Sequence, residues 1–189
     1  MSDAGELLVR HKLTVADIYR MLDAGILHED DRVELIDGEL LDMAPIGADH
    51  ATTVDGLTKA LVLACGDRAI VRVQNPVRLD DLNEPQPDLA VLRLRPGGYR
   101  KGHPGPADVL LLVEVADSSL RFDRRVKLPL YARFGVPEVW IADLQRCVLE
   151  THCTPVDGAY ADTAQHEPGE RVSPALLSEA VLILTGIFD

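Results

Sequence analysis

The sequence predicts a mixed α/β (α+β) domain, a central mixed sheet flanked by two longer helices. Three observations carry that expectation. Asp108-Val-Leu-Leu-Leu-Val-Glu114-Val-Ala-Asp117 holds the continuous apolar run of a strand buried on both faces. Two stretches, about Asp49 to Cys65 and Leu120 to Phe134, repeat apolar residues at helical spacing. Strand-like runs lie before, between and after them, in the order hairpin, helix, strands, helix, strand. At 189 residues the chain fits one domain with a sizeable core.

The first ten residues carry little pattern and read as loose. Thr14-Val-Ala-Asp17 resembles a capping box with Asp in place of Glu, and Val15, Ile18 and Leu22 follow at helical spacing until Gly25. Arg32 to Met43 contains two short strand-like runs around Asp37-Gly38, a strong hairpin signal because both residues tolerate positive φ. Pro45 and Gly47 break the hairpin. On the following helix Val54, Leu57, Leu61 and Cys65 form one face, with Thr58 and Val62 beside them. Ala69 to Asn75 and Val77 to Leu79 read as strand segments interrupted by Pro76. Asp88-Leu-Ala-Val-Leu-Arg-Leu, introduced by Glu84-Pro-Gln-Pro87, is the next strand. In the helix from Leu120 to Phe134, Pro129 removes a hydrogen bond and predicts a kink, and Gly135 stops it. Pro137 to Asp143 is a further apolar strand, and short strands are expected near Cys147–Cys153 and Val181–Leu184.

Hydrophobic residues make up 47% of the chain and aromatics only 4%, so the core must be built from Leu, Val, Ile and Ala. No run is long enough to span a membrane, and the N-terminus lacks a signal-peptide pattern. Three cysteines, Cys65, Cys147 and Cys153, are too few for a disulfide framework, which points to a reducing cytoplasm. Cys147, His152 and Cys153 lack the fourth ligand and tighter spacing of a zinc site. The balance of 31 acidic against 19 basic residues gives a formal charge of −12. That argues against unspecific, electrostatically driven nucleic-acid binding but fits a site that concentrates metal cations. No Gly-x-Ser-x-Gly elbow, P-loop or dinucleotide fingerprint appears.

Chemistry gathers where the Asp88 strand begins and the Glu114 strand ends. An ionised carboxylate in a dry position needs a cation, hydrogen-bond donors or a proton. If the two strands pair antiparallel, Asp88 and Glu114 face one another, and a hard divalent cation with oxygen ligands relieves their repulsion. Otherwise each simply ends its strand in solvent. Asp123, Lys127 and Tyr131 fall on one helical stripe, which places Lys127 either near the acids or in a surface ion pair with Asp123. His50, on the inward face at the start of a helix, reads as a core or capping residue or as part of a site. Glu34 is a supporting acid or the polar face of its strand. Asp143 supports Lys127 or caps its strand. Arg121, Arg124 and Arg125 offer phosphate contacts or a solvated helix face.

The ordered series Arg32-Val-Glu-Leu-Ile-Asp-Gly-Glu-Leu, Met43-Ala-Pro, His50, Pro87-Asp88, Leu112-Val-Glu-Val, Asp123 to Lys127 to Tyr131 and Gly135-Val-Pro-Glu-Val-Trp-Ile-Ala-Asp143 resembles the Uma-two family of restriction endonucleases, a branch of the PD-(D/E)XK nuclease superfamily. The likeness runs from roughly Leu13 to Phe188. It implies a restriction-endonuclease-like fold and hydrolysis of DNA phosphodiesters by in-line attack of a metal-activated water. Asp88 and Glu114 match the superfamily's acids and imply Mg²⁺ ligands, with Mn²⁺ as a substitute and the Val115 carbonyl as a further ligand. The superfamily's lysine, two residues after the second acid, would fall at Ala116. The resemblance assigns that role to Lys127 on the helix. Implied partners are DNA and a second copy of the chain, which would let two sites address two strands. A descendant that keeps the fold without catalysis, binding nucleic acid or protein, is the competing expectation.

Overall fold

In a computed structural model describing residues 10–28 and 30–188, a six-stranded sheet carries helices on both faces. The N-terminal residues expected to be loose lie, apart from residue 10, outside that range. Helix α1 (Val15–Asp23) is capped as the sequence predicts, the Thr14 hydroxyl accepting from the Asp17 amide while the Asp17 carboxylate accepts from Thr14 N–H. Thr14→Ala should cost about 1 kcal/mol, read as a lower urea midpoint at unchanged m-value.

Strands β1 (Val33–Ile36) and β2 (Glu39–Asp42) form the expected hairpin, with Asp37 and Gly38 both at positive φ (48° and 74°) as a two-residue turn requires. Helix α2 (Ala48–Cys65) buries Val54, Leu57, Leu61 and Cys65, whereas Val62 is exposed rather than part of that face. Strand β3 (Ala69–Val73) is followed by β4 (Leu89–Arg93) and β5 (Val109–Ala116), with β6 (Glu138–Asp143), β7 (Val148–Val156) and β8 (Ala159–His166) completing the order β3-β4-β5-β6-β7-β8. Only β5 and β6 run parallel, as a strand–helix–strand unit allows. Strands β9 (Arg171–Val172) and β10 (Leu182–Ile183) form a small separate pair.

The expected strand at Val77–Leu79 does not form. Gln74 takes φ +49° and turns the chain out of β3, and Val77 and Leu79 instead donate to Pro85 and Asn83 within the connecting loop. The C-terminal part is also more regular than its composition suggests. Strand β7 continues past Cys153 to Val156, and Asp157-Gly158, again both at positive φ, turns it into β8. Pro155 is tolerated in β7 because the pairing with β6 has ended at Glu138↔Cys153.

Strand β5 is buried along its whole length. Leu111, Val113 and Val115 pack with Val54, Leu57 and Leu61 of α2, while Leu112 and Ala116 pack with Leu130 and Tyr131. The latter two belong to helix α3, formed by Leu120–Phe122, Asp123–Lys127 and Leu128–Arg133 joined end to end. The expected kink at Pro129 is absorbed differently. The turn Asp123–Lys127 is π-helical, Leu128 N–H bonding to Asp123 carbonyl, so the helix widens just before the residue that cannot donate.

Candidate active site

Antiparallel pairing of β4 with β5 sets Leu89 against Val113, so Asp88 arrives beside the end of β5. Its Oδ2 accepts from the Val115 amide at 2.9 Å and lies 3.2 Å from His50 Nε2, and its Oδ1 accepts from Gln74 Nε2 at 3.2 Å. By the alternation of β5, Glu114 shares the face of Leu112 and Ala116 and points at α3. There its Oε1 accepts from the Tyr131 hydroxyl at 2.6 Å and its Oε2 lies 3.3 Å from Lys127 Nζ. Glu34 comes in from the hairpin, which is docked by a bridge between Leu35 and Glu84 and by Asp37–Arg133, and its Oε2 stands 3.1 Å from Lys127 Nζ. Asp123 is buried nearby and accepts from the Ser119 hydroxyl at 2.7 Å. Glu34, His50, Asp88, Glu114, Val115, Asp123 and Lys127 all line one cleft of about 400 Å³, with Tyr131 beneath it.

Lys127 is only 4% exposed, which removes the surface ion pair with Asp123 as its explanation. It lies at the end of the π turn, under the hairpin and against β5, between Glu34 and Glu114. Ala116, two residues after Glu114, is fully buried against the α3 side of the sheet. Asp143 does not support Lys127; its carboxylate holds Arg124 at 3.4 Å and accepts from Arg146 N–H at 3.1 Å. Arg124 also pairs with Glu150, so Arg121, Arg124 and Arg125 do not form one free basic stripe. Gln74 and Gln86 belong to the site although nothing in the sequence singled them out. Gln86 N–H donates to Glu34 and its amide to the Gln74 carbonyl, tying hairpin, loop and Asp88 together. The prolines on both sides of Gln86 were the available sign that this segment is held rigid.

Charge at the cleft is unbalanced: Glu34, Asp42, Asp88, Glu114, Asp117 and Asp123 face Lys127, Arg32 and the His50 imidazole. Burial pushes the Glu114 carboxyl well above the ordinary range; Lys127 opposes the shift and the Asp123, Asp88 and Glu34 charges add to it. Burial also leads in raising Asp123, against the pull of Lys127. For Lys127 burial acts to lower the pKa, but Glu114, Glu34 and Asp123 outweigh it, so the ammonium stays charged. At Asp88 burial again raises, yet the His50 hydrogen bond and charge and the Val115 amide carry the net value below normal. The hydrogen bond to Asp88 raises His50 in turn, and His50 Nδ1 is buried without a partner among the described residues.

This pair sets a pH window. The Asp88 contribution to stability is lost as pH falls through its depressed folded pKa, and the His50 contribution as pH rises through its raised one. In EDTA, His50→Ala should flatten the decline at higher pH and also weaken the acid limb, because His50 is the chief cause of the depressed Asp88 pKa; urea midpoints across pH check this.

The family described as "Putative restriction endonuclease" (Uma2) matches residues 15–185. The chain belongs to that family. A solved structure titled a "putative nuclease belonging to DUF820" from Anabaena variabilis aligns with a TM-score of 0.70 at 16% identity, over 93% of this chain and 97% of that one. At that identity the likeness establishes the restriction-endonuclease-like fold. No curated protein matches the chain. No described helix is long and apolar enough to cross a membrane.

Among the described residues no three His, Cys, Asp or Glu side chains form a ready-made metal cage. Mg²⁺ does not require one, since it keeps several waters and is commonly held by one or two carboxylates plus substrate phosphate. The excess of buried carboxylates and their hard oxygen donors fit such an ion.

Proposed function

We propose that this family member is a Mg²⁺-dependent endonuclease that hydrolyses DNA phosphodiester bonds in the Asp88–Glu114–Lys127 cleft. One observation carries the reading: a fully buried ammonium, Lys127, held between Glu34 and Glu114 where the superfamily's lysine position is Ala116. A structural core has no need of this many acids around one lysine, because each buried charge carries a desolvation cost.

Mg²⁺ at Asp88, Glu114 and the Val115 carbonyl would supply Lewis-acid activation of water and phosphate. Mn²⁺ would serve in its place. The rest falls to the chain. Glu34 and Glu114 aim the Lys127 ammonium, which orients the attacking water and opposes the charge that builds on the phosphoryl oxygens. Tyr131 fixes the Glu114 carboxylate from below, and Asp123, positioned by Ser119, adds to the field that keeps Lys127 protonated. His50 and Gln74 fix the orientation of Asp88. A homodimer would present two such clefts to two strands.

Plasmid nicking tests this. Supercoiled DNA should convert to open circles with Mg²⁺ and remain intact in EDTA. An idle module is the second reading, favoured by the engagement of both Asp88 and both Glu114 oxygens within the chain. DNA binding without cleavage in any divalent metal would establish it.

A further inference from the structure

Away from the cleft, the loop joining β4 to β5 departs from the character of the chain. The loop, residues 94–108, carries Arg95, Arg100 and Lys101 against a single acid, Asp108, which lies 4.0 Å from Arg95, within a protein of net charge −12; Arg93 ends β4 beside it. All four cations are exposed. Their placement is built: Tyr99 donates its hydroxyl to the Arg93 carbonyl at 2.8 Å, and the Arg95 guanidinium stacks 5.3 Å from the Tyr99 ring centre. Gly97 and Gly98, both at positive φ (77° and 63°), turn the loop so that Tyr99 packs on the α3 side of the sheet, the side that carries Glu114. There Tyr99 and Arg100 border an open hollow with Ile70 and Arg72 of β3.

Arg72 connects that hollow with the cleft. It lies two residues before Gln74, which bonds Asp88, and strand β3 is an outer strand of the sheet with nothing paired on its far side. Two residues along a strand span about 7 Å. One Arg72 terminal nitrogen holds Asn75 at 2.8 Å; the other is buried with no partner among the described residues. A cationic loop whose single acid, Asp108, faces Arg95, and a short path along β3 to Asp88, suit a phosphodiester backbone. Elsewhere the acidic surface would repel one.

We propose that Arg72, Arg100 and Lys101 form a track that binds the DNA sugar–phosphate backbone and feeds it to the Asp88 cleft. The proposal rests on the endonuclease reading and names how its substrate is held. Contacts of this kind position the duplex and carry no sequence information.

The test compares wild type with Arg100→Ala/Lys101→Ala, both positions exposed and outside the core. Fluorescence anisotropy with a labelled DNA duplex in EDTA gives Kd at several salt concentrations. Each phosphate contact contributes a slope of about −0.9 in log K against log salt. The double variant should therefore lose about 1.8 of the slope and bind about tenfold or more weakly at low salt. In Mg²⁺ its nicking should show a raised KM and an unchanged kcat. Arg121→Ala/Arg125→Ala, exposed on α3, should leave slope and KM unchanged. If wild type cleaves DNA while the loop variant keeps slope, Kd and KM, the track is overturned and the nuclease survives. If wild type neither binds nor cleaves DNA, both fall. Preference for an RNA duplex of the same sequence, with the slope change confined to RNA, also overturns it.

Discussion

Replacing Lys127 with alanine should reduce Mg²⁺-dependent nicking by about 10²–10³-fold, the usual cost of removing one donor aimed at developing transition-state charge. It should also destabilise the fold by about 3–5 kcal/mol near neutrality, because Glu34 and Glu114 then face each other across a buried gap. These two losses respond differently to conditions. Lower pH lets the stranded carboxyls take up protons, and saturating Mg²⁺ replaces the missing positive charge, so either treatment should recover much of the stability. Neither recovers cleavage, since no group replaces the ammonium beside the water. Denaturation midpoints and nicking rates, measured on the same samples, separate the effects. Stability that ignores both pH and Mg²⁺ would mean that Lys127 acts by packing alone. Unchanged nicking would remove it from the site.

Much of this arrangement was legible in the residues, and the reasons differ by element. The hairpin at Asp37-Gly38 announced itself because its dipeptide permits positive φ and its flanks alternate. The same dipeptide at Asp157-Gly158 passed without notice. Its second strand, Ala159–His166, is largely exposed, so no burial imposes the alternation by which a strand is recognised. Asp88 and Glu114 could be placed together because antiparallel pairing of two apolar strands leaves few registers. Lys127 could not be placed by period alone. The stripe Asp123, Lys127 and Tyr131 does lie buried on one face, but the period alone does not say whether that face meets solvent or the acids of β5 and the hairpin. Gln74 escaped for a similar reason: its place at the site depends on a backbone reversal at φ +49°, not on its chemistry.

Glu114→Gln should raise the stability of the metal-free protein at pH above the ordinary carboxylate range while sharply weakening its response to Mg²⁺. A carboxyl whose folded pKa lies above its unfolded value binds more protons in the folded state between the two. Its contribution is complete below the unfolded value and declines as pH rises through the folded one. In EDTA the wild type should therefore lose stability as pH increases through that interval. Glutamine has no proton to surrender and keeps an oxygen to accept from Tyr131, so the variant should lack that decline. Lys127 retains Glu34 as its counter-ion. With Mg²⁺ the order reverses. An ion at a hundred times its Kd stabilises the wild type by about 2.7 kcal/mol, and the variant, missing one of two carboxylate ligands, should gain far less. Nicking should disappear with the ligand. Thermal midpoints in EDTA and in Mg²⁺ across pH read both halves. Equal stabilisation of variant and wild type by Mg²⁺ would show that Glu114 holds no metal and that its buried charge answers only to Lys127.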